Sequence, residues 1–223
     1  MTASRAVLFD FDGTLADTAA DLAAALNHLR IQKGLKEIAV SEVRPYASMG
    51  ARGLLRVGFG LQPGAAEYPA MREAFLAFYE ERVCVATRLF PGIPELLREL
   101  AARSIRWGIV TNKATRFTER IVESLQLKPD CVVCGDSTPH LKPHPASLLL
   151  AAERLHLPSP ECIYVGDDLR DIQAARAAQM RCVAVEYGYH GADADGPLSW
   201  NADAIIAHPS EIIPLLEVRR TVQ

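Results

Sequence analysis

Long apolar runs are missing from this chain. The longest stop at five or six residues, whereas a helix that crosses a bilayer needs about twenty, so no membrane partner is expected. Charge of one sign is equally scarce. Lys and Arg number 24 against 27 Asp and Glu, for a formal net charge of −3. No block of like charge stands out, and the basic face that nucleic-acid binders present has no counterpart here. Met1-Thr2-Ala3-Ser4-Arg5 leads straight into an apolar run, without the long apolar stretch and cleavage site of a secretory signal. A cytoplasmic location is the expectation. Cysteines are few and odd in number, five in 223 residues. Cys131 and Cys134 form a C-x-x-C, which suits a redox pair or half a zinc site. No second C-x-x-C or C-x-x-H partners it, and the surrounding residues read instead as a buried strand. Residues three apart on a strand also point to opposite faces. Internal repeats and low-complexity segments are absent too.

What the chain does have is apolar content, 49% of its residues, and enough length for one sizeable core plus a smaller insertion. Short apolar runs alternate with helical patterns. Ala6–Phe9, Ile109–Val110, Cys131–Cys134, Cys162–Val165, Cys182–Val185 and Ala204–Ile206 are the runs. Continuous apolar runs of this length suit strands buried on both faces, hence a parallel sheet. Pro94–Ala102, Ala114–Leu125, Pro145–His156 and Leu169–Ala178 carry the helical patterns between them. The alternation predicts an α/β fold, a Rossmann-like doubly wound parallel sheet. Residues 16–83 break it. They show no convincing strand and read as helices over Ala16–Gln32, Ser41–Tyr46, Ala51–Phe59 and Ala66–Arg82, punctuated by Gly34, Pro45, Gly50 and a Gly60–Gly64 turn. The division expected is a core of residues 1–15 and 84–223 with an all-helical cap of residues 16–83.

Polar residues cluster just past the ends of the apolar runs: Asp10, Thr111-Asn112, Gly135-Asp136 and Gly166-Asp167-Asp168. In open α/β sheets that carboxyl edge is where ligands bind. Phe9-Asp10-Phe11-Asp12-Gly13-Thr14-Leu15 after the first run resembles the D-x-D-G-T-L signature of the haloacid dehalogenase superfamily. Thr111-Asn112, Lys142-Pro143 and Gly166-Asp167-Asp168 with Asp171 follow in that family's order, so the resemblance covers essentially the whole chain.

The resemblance implies a phosphoryl-transfer site. Asp10 would be the nucleophile, since a carboxylate can split one hard hydrolysis into two easier displacements. Asp12 would protonate the leaving group and then take a proton from the attacking water, and Gly13 lets the backbone turn sharply after it. Thr111 would bind phosphate, Asn112 would donate from its backbone and side chain, and Lys142 would pair with the phosphoryl group and the nucleophile. Pro143 and Pro145 would fix the Lys142 loop. Asp10, Asp12, Asp167 and Asp171 bring up to four negative charges and a phosphomonoester adds more, which Lys142 alone cannot offset. A hard dication with oxygen ligands fits, and Mg²⁺ is the expected cofactor. By the same resemblance Asp10 and Asp167 ligate it through side chains and Asp12 through its backbone carbonyl. Asp171 would hold metal-bound water, and Asp168, where relatives often have Ser or Asn, has a supporting role. His140 and His144 flank Lys142 but suit loop packing better than an all-oxygen magnesium site.

Asp12 separates the chain from the dehalogenases, which lack that aspartate. Phosphonate-cleaving relatives need a cap lysine, and the insertion offers only Lys33 and Lys36, both beside Gly34. Sugar-phosphate mutases share the core motifs and remain a rival, whereas a binding module is disfavoured because every catalytic position is filled. Within the phosphatases, Gly50, Lys142-Pro143-His144-Pro145 and Asp171-Ile172 resemble the phosphoglycolate phosphatase group. Gly50-Ala51-Arg52, Trp107-Gly108, Asp167 through Asp171, and Tyr187-Gly188-Tyr189 are similar to the N-acetylmuramic acid 6-phosphate phosphatases of cell-wall recycling. The resemblance implies a substrate of the 2-phosphoglycolate type, with N-acetylmuramic acid 6-phosphate as the alternative; both carry a carboxylate, which a cap arginine, Arg52 or Arg44, would read in two-pronged fashion. The expected partner is a small phosphomonoester, the expected assembly a monomer or homodimer. Ala16–Thr18 and Val83–Thr87 are the expected hinges of a cap that closes over the site.

Overall fold

The computed structural model describes residues 5–191 and 195–217; the expectation drawn from Met1–Ser4 falls outside them. The apolar runs are strands. β1 (Ala6–Phe9), β4 (Arg106–Val110), β5 (Cys131–Val133), β6 (Cys162–Gly166), β7 (Arg181–Val185) and β8 (Ala204–Ile206) form one sheet of order β5-β4-β1-β6-β7-β8. Every neighbouring pair in it runs parallel. α5 (Ile93–Ala102), α6 (Thr115–Ser124), α7 (Ala146–Arg154), α8 (Leu169–Ala177) and α9 (Ile212–Glu217) complete this layer structure. From β1 the chain steps to β4 and β5 on one side, then returns to β6 and moves outward to β7 and β8 on the other. The order therefore reverses beside β1, where open α/β sheets bind ligands.

Alternation along the strands sorts the core onto two faces. Val7 and Phe9 pack with Ile163, Val165, Val183 and Val185 on one face. Ala6 and Leu8 pack with Cys162, Tyr164, Cys182 and Ala184 on the other. Both strand faces are covered, which is why the sequence shows continuous apolar runs and not alternation. Cys131 and Cys134 are buried free thiols, Cys131 in β5 and Cys134 just past its end. Burial pushes both up, Cys131 to about 11.

The stretch after β1 is helical, with two departures from the reading of the sequence. Ala16 and Asp17 are not the start of a helix but a short strand, β2, paired antiparallel with β3 (Arg88–Leu89). α1 (Ala19–Gln32) begins only after it. Two-residue strands are too short to leave a periodic trace. Ser41–Tyr46 also divides, into α2 (Val40–Val43) and a 3₁₀ turn over Arg44–Met49 with Pro45 at its start, because proline has no N–H to continue an α-helical ladder. α3 (Gly50–Phe59) and α4 (Tyr68–Glu81) follow as expected within a residue or two.

Buried Asp21 in α1 ties the insertion's two ends. It accepts from the backbone N–H of Ala86 at 2.8 Å and of Thr87 at 2.9 Å, and from the Thr87 hydroxyl at 2.7 Å. The return segment expected as a hinge is thus held to the outgoing helix, and it pairs as β3 one residue beyond Thr87. Apolar side chains of the insertion, among them Leu22, Leu54 and Phe75, are continuous with the Val7–Phe9 face of the sheet.

Candidate active site

Register brings the distant motifs together. Phe9 lies opposite Val165 in β6 and Ile109 in β4, so the chain emerges from three adjacent strands at Asp10, Thr111 and Asp167. The Asp10 N–H extends the ladder by donating to Val165 at 2.8 Å. Asp10, Asp167 and Asp171 are all buried, and one carboxylate oxygen of each lies within 4.8 Å of the others. Among the described residues, one ammonium meets this cluster. Lys142 Nζ is 2.8 Å from Asp10 Oδ1 and 2.7 Å from Asp171 Oδ1. It also donates to the Tyr164 hydroxyl at 2.7 Å and to the Val110 carbonyl at 3.1 Å.

Burial alone would lower the Lys142 pKa, but the Asp10 and Asp171 charges outweigh it and raise it. Burial pushes Asp171 up to about 7; the lysine opposes this, and Asp10 and Asp168 add to it. Asp167 is driven well above the carboxylate range by burial and then by the charges of Asp10 and Asp171. The Tyr189 N–H and the Thr14 hydroxyl, each 2.9 Å from it, offset part of that rise.

Two glycines make room for Asp167. Gly13 has φ +89°, and a Cβ there would sit 2.1 Å from Asp167 Oδ2. A Cβ on Gly188 would lie 2.2 Å from Asp167 Cβ. Neither position can take a side chain without displacing the carboxylate. Gly13 was read as a turn residue; the close approach to Asp167 is a second reason for it, invisible in sequence because 153 positions intervene.

Asp12 turns away from this cluster. Its Oδ1 accepts from the Thr18 hydroxyl at 2.5 Å and from Lys113 Nζ at 2.9 Å, and Lys113 also reaches Oδ2 at 3.2 Å. The two carboxylates of the D-x-D pair therefore have separate cations, which is what different roles require. Burial lowers the Lys113 pKa, but the Asp12 charge more than reverses this. Reading the sequence missed Lys113. It follows Asn112 directly, yet only the fold brings it to Asp12, and its ammonium also lies 4.9 Å from the centroid of Tyr79 in α4.

Thr111 is buried at the end of β4, its Oγ1 accepting the Lys113 N–H at 3.2 Å. Asn112 lines the cavity and also grips the Lys142 loop: Nδ2 donates to the Lys142 carbonyl at 3.0 Å, and Oδ1 accepts the Lys142 N–H at 2.8 Å. An amide offers one donor side and one acceptor side, and here both hold the Lys142 loop. The rings of His140 and His144 lie 4.3 Å apart, tilted by 36°, and His144 Nδ1 accepts from the Ala146 N–H.

A cavity of about 780 Å³ opens over Asp10 and Asp12. The helical insertion supplies its far wall, including Gly50, Arg52, Tyr68, Arg72 and Phe75. Arg44 is not in that wall: it is paired with Asp17 at 2.6 Å and lies over the Tyr189 ring. Arg116 lines the cavity but is paired with Glu80. Among the described residues, Arg52 and Arg72 line it with no ion pair or hydrogen bond of their own. Arg72 lies within a stretch read only as a helix, and nothing in its spacing marks it.

Three buried carboxylates against one shared lysine leave net negative charge where burial penalises it. The donors are all oxygen and their spacing is that of a single coordination sphere, so the residues fit a hard divalent cation. Among the described residues, no helix is long and apolar enough to cross a membrane.

Residues 7–185 match the family model described as haloacid dehalogenase-like hydrolase. A Pseudomonas aeruginosa protein called N-acetylmuramic acid 6-phosphate phosphatase is 40% identical over 215 residues, 96% of this chain and 95% of its own length. A Xanthomonas campestris pv. campestris protein called phosphoglycolate phosphatase is 42% identical over 210 residues, 93% of this chain and 94% of its own. Among solved structures, a predicted phosphoglycolate phosphatase from Haemophilus somnus superposes with a TM-score of 0.85 at 26% identity, over 97% of this chain and 100% of that one.

Proposed function

The chain belongs to the haloacid dehalogenase-like hydrolase family and is a phosphatase, and from that premise we propose that it hydrolyses a carboxylate-bearing phosphomonoester through Asp10. The observation that supports this most is the Asp10–Lys142–Asp171 arrangement at 2.8 and 2.7 Å beside Asp167. Asp10 attacks phosphorus, the bond to the ester oxygen breaks, and Asp12 gives that oxygen its proton. Water then attacks the aspartyl-phosphate, Asp12 takes its proton, and inorganic phosphate leaves with Asp10 restored. Lys142 accompanies the charge on the transferring group, and Thr111 with the Asn112 N–H binds its oxygens. Asp10, Asp167, Asp171 and the Asp12 carbonyl are the residues suited to hold Mg²⁺, which when bound would neutralise charge on the phosphoryl oxygens.

For the metal, the sign of the pH dependence is fixed by Asp171. Its folded pKa of about 7 lies above the ordinary 3.8, so metal-free protein should lose stability as pH rises between those values. Mg²⁺ binds the deprotonated carboxylates, so it should raise Tm more at about pH 8 than at about pH 5. Equal increments at both, read by thermal unfolding, would remove these carboxylates as ligands.

For the substrate, cavity volume favours the larger candidate. A space of about 780 Å³ with Phe75, Leu76 and Phe117 in its walls suits a sugar ring with its substituents better than a two-carbon acid phosphate. N-acetylmuramic acid 6-phosphate is therefore preferred over 2-phosphoglycolate, and a phosphate-release screen of the two decides. Arg52 and Arg72 are the cations available to its carboxylate. Arg72→Ala or Arg52→Ala should raise KM by about tenfold or more with kcat changed less than about threefold, the loss of one charge-assisted pair. Unchanged KM in both variants would take the carboxylate elsewhere. A mutase would need a bisphosphate activator and release little phosphate from p-nitrophenyl phosphate.

A further inference from the structure

Asp168 and Arg170 take no part in the steps above, yet they are firmly bound to one another. Asp168 is the N-cap of α8, its Oδ1 accepting the Arg170 N–H at 2.9 Å. Its two oxygens also take the Arg170 guanidinium in parallel, Nε to Oδ1 at 2.8 Å and Nη2 to Oδ2 at 2.7 Å. Burial would raise the Asp168 pKa, but these hydrogen bonds and the arginine charge hold it below the usual carboxylate range. A guanidinium forked in this way has a fixed direction.

That direction leads to the insertion. Arg170 Nη2 donates to the Ser48 carbonyl at 3.0 Å, across 122 positions of sequence. Ser48 lies near the end of the Arg44–Met49 turn, where carbonyls lack partners within the helix. Its hydroxyl is 3.4 Å from Asp167 Oδ2. Immediately beyond come Met49, Gly50 with φ +58°, Ala51 and Arg52, all in the cavity wall. The turn after β6 and the first turn of α8 thus carry the Asp167 carboxylate, the helix cap and the contact to Ser48.

We propose that Asp168 and Arg170 are positioning residues: the carboxylate aims the guanidinium, and the guanidinium holds the Ser48 carbonyl so that Ser48–Arg52 is seated over the reacting groups. An aspartate at 168 supplies what a neutral capping residue could not, a two-oxygen anchor for arginine.

Arg170 also lines the cavity, so a direct substrate contact is the competing account, and amide hydrogen exchange on the full chain without substrate separates the two. Arg170→Gln should speed exchange across residues 44–52 by about tenfold, the loss of one charge-assisted bond, with residues 162–177 little changed. Asp168→Asn, which can still cap α8, should do the same in smaller measure. Arg170→Lys should fall between, since an ammonium reaches one carbonyl but cannot span both Asp168 oxygens. Unchanged exchange at 44–52 in Arg170→Gln, or a rise spread equally over 162–177, overturns the proposal. The kinetic arm alone rests on the phosphatase reading: KM for the sugar-acid phosphate should rise about tenfold and that for p-nitrophenyl phosphate less than about threefold. Equal rises for both overturn the seating role, whereas wild-type protein inert toward both would refute the phosphatase reading and leave the exchange result to stand.

Discussion

Asp10→Asn should end turnover while leaving the protein folded. The amide matches the carboxylate in size, and its oxygen can keep a polar contact with Lys142, whose Nζ lies 2.8 Å from Asp10 Oδ1. What is lost is the nucleophile, and removing a covalent nucleophile lowers kcat by about 10⁴ or more. The same change removes one negative charge from a buried cluster in which Asp10 raises the pKa of both Asp167 and Asp171. The metal-free variant should therefore unfold at or above the wild-type temperature. Activity gone with Tm maintained is the signature of chemistry lost without structure. Wild type quenched during turnover should carry a phosphoryl group on the peptide containing Asp10, and the variant none. Retention of activity within about tenfold would take the nucleophile away from Asp10.

Lys142→Met should damage both rate and stability. Lys142 Nζ has four oxygens within 3.1 Å, from Asp10, Asp171, Tyr164 and Val110. Methionine fills most of the volume but leaves Asp10 and Asp171 without their shared cation. Breaking a buried pair by removing one partner costs about 3–5 kcal/mol. Loss of the cation beside the transferring group should lower kcat about 10³-fold. The sign with pH is definite. The lysine lowers the Asp171 pKa, which is already at about 7, so without it Asp171 holds its proton to higher pH. Destabilisation should be smallest in mild acid, where Asp171 is protonated and needs no cation, and should grow as pH rises. Urea unfolding at two pH values measures this. A stability loss equal at both, or a kcat within about tenfold of wild type, would contradict the role given to Lys142.

Some parts of this site were open to reading from sequence and others were not, for physical reasons. β1, β6 and β7 announced themselves because a strand covered on both faces is apolar throughout. β4 showed only its last two residues, since Arg106 begins it and Gly108 interrupts it. β2 and β3 were silent, being two residues each. Asp10, Thr111 and Asp167 could be placed at one edge because residues just past the ends of parallel strands converge, whereas Lys142, in a loop nine residues past β5, was named only by what the family resemblance implies. Residues whose part depends on a distant partner could not. Tyr164 is a strand residue like its neighbours until its hydroxyl meets Lys142. Lys113 becomes the partner of Asp12, and Arg170 that of Ser48, only after folding. Asn112 was legible as a position, while its hold on the Lys142 loop was not, because a side-chain amide suits a loop backbone as well as a phosphate.

The short β2–β3 pairing has a consequence for how such a protein can be rebuilt. Ala16 lies opposite Leu89 and Asp17 opposite Arg88, so the chain departs from and rejoins the sheet domain at points about 5 Å apart. Residues 18–87 are joined to the rest like a cartridge through a two-strand socket. A segment grafted there must match that spacing and must also complete the buried apolar cluster that Leu22, Leu54 and Phe75 share with Phe9 and Leu15. The two short strands are, in that sense, the joint at which the helical segment meets the six-stranded sheet.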